Sequence, residues 1–139
     1  MKWLLDTCVV SELNRQRPDP VVLQWLRQHE EGSTLCTVTV GEILHGIERL
    51  PASAGRNRLQ VWFETLHQRY ARRTLDTTDL VWRTYARLRA SVESMGRPQD
   101  DLDLLIAATA SVHGLTLVTR NTRHFEDTGV PIVNPWDAP

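Results

Sequence analysis

Residues 100–133 read DDLDLLIAATASVHGLTLVTRNTRHFEDTGVPIV, and this stretch decides the fold. Leu102 to His113 is alanine-rich and reads as a helix, which Gly114 ends in the manner of a C-cap. Leu115–Thr119 and Val130–Val133 follow as β-rich runs bounded by glycine, asparagine and proline. The same alternation extends upstream. Lys2 to Asp6 is a short apolar run ending in a carboxylate, the mark of a buried first strand. Asp19 to Glu30 is helical, starting near Pro20 with Val22, Leu23 and Leu26 on one face, and Ser33 to Thr37 reads as a second strand. Thr39 to Leu50 has helical spacing through Ile43, Leu44 and Ile47 and stops before Pro51. Leu59, Trp62, Phe63, Leu66 and Tyr70 mark a strongly amphipathic helix, and Val81, Tyr85, Leu88 and Val92 mark another that ends near Gly96. Alternating strands and helices predict an α/β fold, a central parallel sheet flanked by helices, as one domain over residues 1–139.

The composition fits that expectation. A chain of 139 residues can bury roughly two-thirds of its unfolded surface without added crosslinks. With 41% hydrophobic and 24% charged residues it is not a disordered segment. Cys8 and Cys36 are too few for a disulfide scaffold and lack zinc-ligand spacing, so a reduced, cytoplasmic setting is expected. No apolar run approaches the ~20 residues that span a bilayer, and Asp6 interrupts what would be the apolar part of a secretion signal. The net charge of −1 conceals a division, because residues 49–97 hold ten arginines against four acids while both ends are acid-rich. A basic middle permits an anionic partner, although arginine in place of lysine throughout is equally a matter of composition.

Three acids fall where strands pass into helices, the edge at which open parallel sheets bind ligands: Asp6, Glu42 and Asp103. The strand ending at Thr119 delivers Asn121 to the same edge. Carboxylates that converge repel one another unless a cation joins them, and hard oxygen donors with little histidine or cysteine select Mg²⁺ or Mn²⁺. A site of that kind activates water and clamps a phosphodiester during in-line displacement.

Each acid also has a purely architectural reading. Thr39-x-x-Glu42 matches a capping box, Asp100 with Asp103 matches a cap plus a charge favoured by the helix dipole, and Asp6 is placed to cap a helix starting at Thr7. Spacing alone does not choose between cap and site. Glu42-x-x-His45 and Glu64-x-x-His67 imitate the ligand pairs of a di-iron bundle, but strand-like segments have no place in a bundle and Glu64 and His67 should face water. A phospho-receiver domain needs a late lysine, and the one lysine is Lys2. No glycine-rich phosphate loop is present. His29, His113 and His124 read as surface or helix-end residues, and the five tryptophans as packing residues.

Three strings carry a family resemblance: LLDTCVVSEL (4–13), TVTVGEILHGIERL (37–50) and DDLDLLIAATASVHGLTLVTRNTRHFEDTGVPIVNPW (100–136). Together they resemble the PIN-domain ribonucleases, and within them the VapC and FitB toxins of bacterial toxin–antitoxin pairs. The resemblance runs nearly end to end and is most specific in the third string. It implies a parallel sheet with flanking helices and a metal-dependent endoribonuclease. It implies Mg²⁺ or Mn²⁺ held by Asp6, Glu42 and Asp103, with Asn121 and the Thr7 hydroxyl assisting, and it makes Asp100 and Asp101 helix-start residues. The chain departs from the family at Cys8, where an asparagine is usual, and at the late acidic position, where it offers Asn121 and His124, so one metal ion or two is left open.

The resemblance also implies an RNA substrate, a homodimer, and a small DNA-binding antitoxin of ribbon-helix-helix type. Apolar residues beyond the needs of one small core, such as Trp62 and Phe63, add to the expectation of a dimer. The contrasting expectation is a PIN-like module that binds RNA or protein without catalysis.

Overall fold

A computed structural model describes residues 1–137. Five strands, β1 (Trp3–Leu5), β2 (Ser33–Cys36), β3 (Thr74–Leu75), β4 (Thr116–Val118) and β5 (Ile132–Val133), form one sheet in the order β3-β2-β1-β4-β5, with every pairing parallel. Around it lie α1 (Thr7–Glu12), α2 (Pro20–His29), α3 (Thr37–Glu48), α4 (Ala54–Arg69), α5 (Asp79–Ser94) and α6 (Asp101–His113).

Strand periodicity divides the interior in two. Leu4, Cys36 and Leu117 point to the face covered by α5 and α6, where they meet Val81, Ile106 and Phe125. Their neighbours Leu5, Leu35 and Val118 point to the opposite face and meet Val9, Val10, Val22, Ile43 and Phe63. Helices on both faces explain why the strands are apolar runs rather than alternating ones.

The connections place the site. Helix α1 starts one residue after β1, and α3 follows β2 with no intervening loop, so both helices begin at the carboxyl edge of the sheet. Helix α6 runs back across the sheet before β4, which brings its amino end to that same edge.

Several local expectations need correction. The helix expected from Thr39 to Leu50 begins at Thr37 and ends at Glu48, and Cys36 caps it without a side-chain hydrogen bond. The two-residue strand β3 leaves no sign in the sequence, being too short to carry a period. Trp82 is 49% exposed, so the tryptophans are not all packing residues. Phe63 is fully buried, so it belongs to the core and lends nothing to a dimer surface. His67, expected to face water, is half-buried and stacks on Phe63 with ring centroids 5.7 Å apart. Among the described residues no helix is long and apolar enough to cross a membrane.

Candidate active site

Asp6 follows the central strand, and its own N–H donates to the Val118 carbonyl at 2.9 Å, holding it in the sheet's hydrogen-bond ladder. Its carboxylate is 4% exposed. One oxygen, Oδ1, accepts the Thr7 N–H at 2.8 Å, so Asp6 does cap α1. The other, Oδ2, accepts the Thr119 hydroxyl at 2.7 Å and the Cys8 thiol at 3.6 Å. Capping therefore engages half of the carboxylate, and the second half is oriented by β4.

Glu42 lies in the second turn of α3 rather than the first, and its partner is not a helix cap. The Thr7 hydroxyl donates to Glu42 Oε1 at 2.7 Å, tying the start of α1 to α3. Thr39 sits fully buried inside the helix and is not its N-cap. The capping-box reading of Thr39 and Glu42 is thereby overturned.

At α6 the three acids separate by role. Asp100 is the N-cap, accepting from Leu102 N–H at 2.9 Å and Asp103 N–H at 3.4 Å. Asp101 accepts the Tyr85 hydroxyl at 2.8 Å on the outer surface. Asp103 alone turns into the edge, where its Oδ2 lies 3.1 Å from His124 Nδ1.

The electrostatics bind the cluster together. Burial, then the charge of Asp6, pushes the Asp103 carboxyl up to about 6, with His124 opposing and Asp100 and Glu42 adding smaller raises. Glu42 is raised by burial and by Asp6 and Asp100, while its hydrogen bond from Thr7 pulls the other way. Burial beside Asp6 also raises the Cys8 thiol, which keeps it a neutral donor rather than a thiolate. Glu42 and Asp103, both raised in part by the charge of Asp6, form with it a negative centre that would attract a cation. The donor set, carboxylate and hydroxyl oxygens, suits a hard divalent cation. No three His, Cys, Asp or Glu side chains are close enough to form a finished cage among the described residues.

Asn121 is exposed at the same edge, and its backbone N–H donates to Thr119 Oγ1 at 3.0 Å. Thr119 is a site residue that the sequence reading does not name as one, and His124 enters that reading only as an occupant of the late acidic position, not as a partner of Asp103. The signal for both was position, since they flank Asn121 in VTRNTRH after β4. His124 is a surface residue as expected, yet it also holds Asp103.

The basic middle is largely consumed within the molecule. Arg56 pairs with Glu48 at 2.9 Å, Arg83 with Asp79 at 2.6 Å, Arg97 with Asp127 at 3.4 Å, and Arg69 with Glu30. Arg73 donates to the carbonyls of Glu30 and Ser33 at 2.6 and 3.0 Å, on the amino side of the sheet and away from the acids.

Comparison with known proteins agrees with this geometry. The PIN domain family model matches residues 3–131. The chain is 38% identical over 136 residues to VapC ribonuclease Y4jK of Sinorhizobium fredii, covering 96% of this chain and 97% of the relative. It is 35% identical over 135 residues to toxin FitB of Neisseria gonorrhoeae, covering 96% and 97%. Among solved structures, FitAB bound to an IR36 DNA fragment matches with a TM-score of 0.92 at 33% identity, over 99% of this chain and 97% of the other.

Proposed function

The chain belongs to the PIN-domain family, and from that membership we propose that it is a metal-dependent endoribonuclease, the toxin of a toxin–antitoxin pair. The observation that carries the reading is the convergence of Asp6, Glu42 and Asp103 on one edge from three separate segments, where the charge of Asp6 helps to raise both Glu42 and Asp103. A structural role for these acids would not require their convergence.

In this reading Asp6, Glu42 and Asp103 hold Mg²⁺ or Mn²⁺. Such an ion, once held, would lower the pKa of a water and offset negative charge on the phosphate. The chain's own groups prepare for this. Thr119 fixes the free oxygen of Asp6, Thr7 fixes one oxygen of Glu42, and His124 fixes one oxygen of Asp103. Each acid keeps a second oxygen or lone pair for the ion, as oriented ligands in metal sites do. Asn121, exposed on the rim, assists in positioning substrate or ion through its amide.

The substrate is RNA, and Arg120, exposed beside Thr119, contacts a phosphate. The cognate partner is a small antitoxin resembling FitA or VapB, of ribbon-helix-helix type, and the toxin is a homodimer; support comes from the matched complexes named for both components.

Purified protein should cleave RNA with Mn²⁺ and fail with chelator, and Glu42→Gln should abolish cleavage. In chelator the variant should melt higher than wild type by about 1 kcal/mol, because a repelling charge is removed while Gln still accepts from Thr7. Mn²⁺ should stabilise wild type and do far less for the variant. Normal cleavage by Glu42→Gln with parallel metal shifts would return Glu42 to a structural role. RNA binding by wild type without cleavage would favour the non-catalytic module.

A further inference from the structure

Glu42 stands between two clefts. One, of about 190 Å³, is lined by Thr7, Ser11, Asn14, Gly46, Leu59 and Trp62 together with Glu42 and its neighbours on α3. The other, of about 340 Å³, lies toward Gly41, His45 and Leu102. Both open beside the proposed acid, and they differ in chemistry. The smaller has a half-buried indole on one wall and the exposed hydroxyl and amide of Ser11 and Asn14 on another.

Gly46 makes this cleft hard to explain as packing. Helix interiors disfavour glycine relative to alanine, because glycine loses more backbone freedom on folding. A Cβ at Gly46 would meet nothing within 4 Å, so no close approach of a neighbour demands its absence. The chain accepts a local cost on α3 and obtains open space beside Glu42. Volume and lining suit one flat aromatic ring with polar edges better than a drug-sized ligand, for which pockets usually begin near ~300 Å³. The surroundings favour a phosphate-bearing occupant. Arg17 is exposed in the loop after Asn14, and Arg58 is exposed one residue before Leu59; Arg15, immediately after Asn14, is paired with Glu12 at 3.3 Å.

Resting on the nuclease reading above, we propose that the cleft between α1, α3 and α4 is the subsite for the base of the nucleotide beside the scissile phosphate. The base stacks on Trp62, Asn14 and Ser11 meet its hydrogen-bonding edge, and Gly46 leaves room for the ring. This is how single-stranded RNA is read, by splayed bases stacked on aromatic side chains and hydrogen-bonded at their edges.

The test measures binding of a short fluorescein-labelled single-stranded RNA of mixed sequence to the intact protein in chelator, so that cleavage is not required. Trp62→Ala should weaken binding roughly tenfold or more, and Trp62→Phe should recover much of it. RNA should quench tryptophan fluorescence in wild type and quench it less in Trp62→Phe, although four tryptophans remain. Gly46→Leu should fill the cleft, melting no lower than wild type yet binding RNA roughly tenfold more weakly. With Mn²⁺, Asn14→Ala should alter which base flanks the cut rather than slow every site equally. Wild-type binding by both Trp62→Ala and Gly46→Leu would overturn the subsite, as would variants that keep RNA affinity and lose self-association. If wild type binds RNA through Trp62 but cuts none, the nuclease reading fails while the cleft stands as a base-binding site.

Discussion

Asp103 is the residue at which the site's electrostatics become measurable. Its carboxyl is 19% exposed and lifted to about 6 by burial and by Asp6, above the 3.8 of a free aspartate. A raised folded-state value means that the protonated acid stabilises the metal-free protein. That contribution is complete below about pH 4 and is lost as pH rises through about 6. The loss is on the order of 2 kcal/mol. Melts in chelator across that range should therefore show stability falling with pH, and Asp103→Asn should flatten the fall and melt above wild type at neutral pH. Identical slopes for the two proteins would show that the acids do not oppose one another. The residue scale is also where sequence reading had least purchase. Thr119 and His124 touch Asp6 and Asp103 across 113 and 21 positions of chain, contacts with no local period. Cys8 stands where the family usually has asparagine, and only its contact with Asp6 shows that it still donates to the carboxylate, from 3.6 Å.

At the scale of elements, α6 and α3 behaved oppositely. Helix α6 was readable from end to end, because Asp100 caps its start through its side chain and Gly114 ends it at φ +64°. Helix α3 hides its start, because Cys36 offers no capping hydrogen bond and Thr39-x-x-Glu42 imitates a box that its side chains do not form. Both acids of that comparison still reach the site, since the helix period carries Glu42 to the Thr7 side whichever residue begins the helix. The strand β3 has two residues and is defined by pairing Leu35 with Thr74 and Cys36 with Leu75, information that lies in β2. The left-handed turn at Gly114 supports a direct prediction. An alanine there meets no neighbour within 4 Å, so Gly114→Ala should cost only the backbone penalty of about 1–2 kcal/mol. Denaturant titration should show that loss, while cleavage per folded molecule stays at the wild-type rate. A steeper loss, or lost cleavage in folded protein, would mean that α6 shifts and takes Asp103 with it.

For the molecule as a whole, a parallel sheet with two-sided cover follows from the alternation of strand-like and helix-like runs, but the strand order does not, and neither does the distribution of charge follow from counting it. The ten arginines of residues 49–97 suggest a phosphate track, whereas folding pairs Arg56, Arg69, Arg83 and Arg97 with acids and sets Arg73 against backbone carbonyls at the far edge. Arg120 is different, because it follows β4 at the acid-bearing edge and its guanidinium lies 5.0 Å from the Trp136 ring centre, exposed to solvent. RNA binding should weaken with salt at a log–log slope of about −0.7 for each phosphate contact on a single strand. Arg120→Gln should make that slope shallower by about 0.7, one contact's worth, and lower affinity across RNA sequences alike. Arg73→Gln should leave the slope unchanged and instead lower the melting temperature, since the carbonyls of Glu30 and Ser33 lose a charged donor. Binding measured at several salt concentrations for the three proteins separates the two roles. A slope that changes with Arg73 and not with Arg120 would move the RNA path to the amino edge of the sheet, away from Asp6, Glu42 and Asp103.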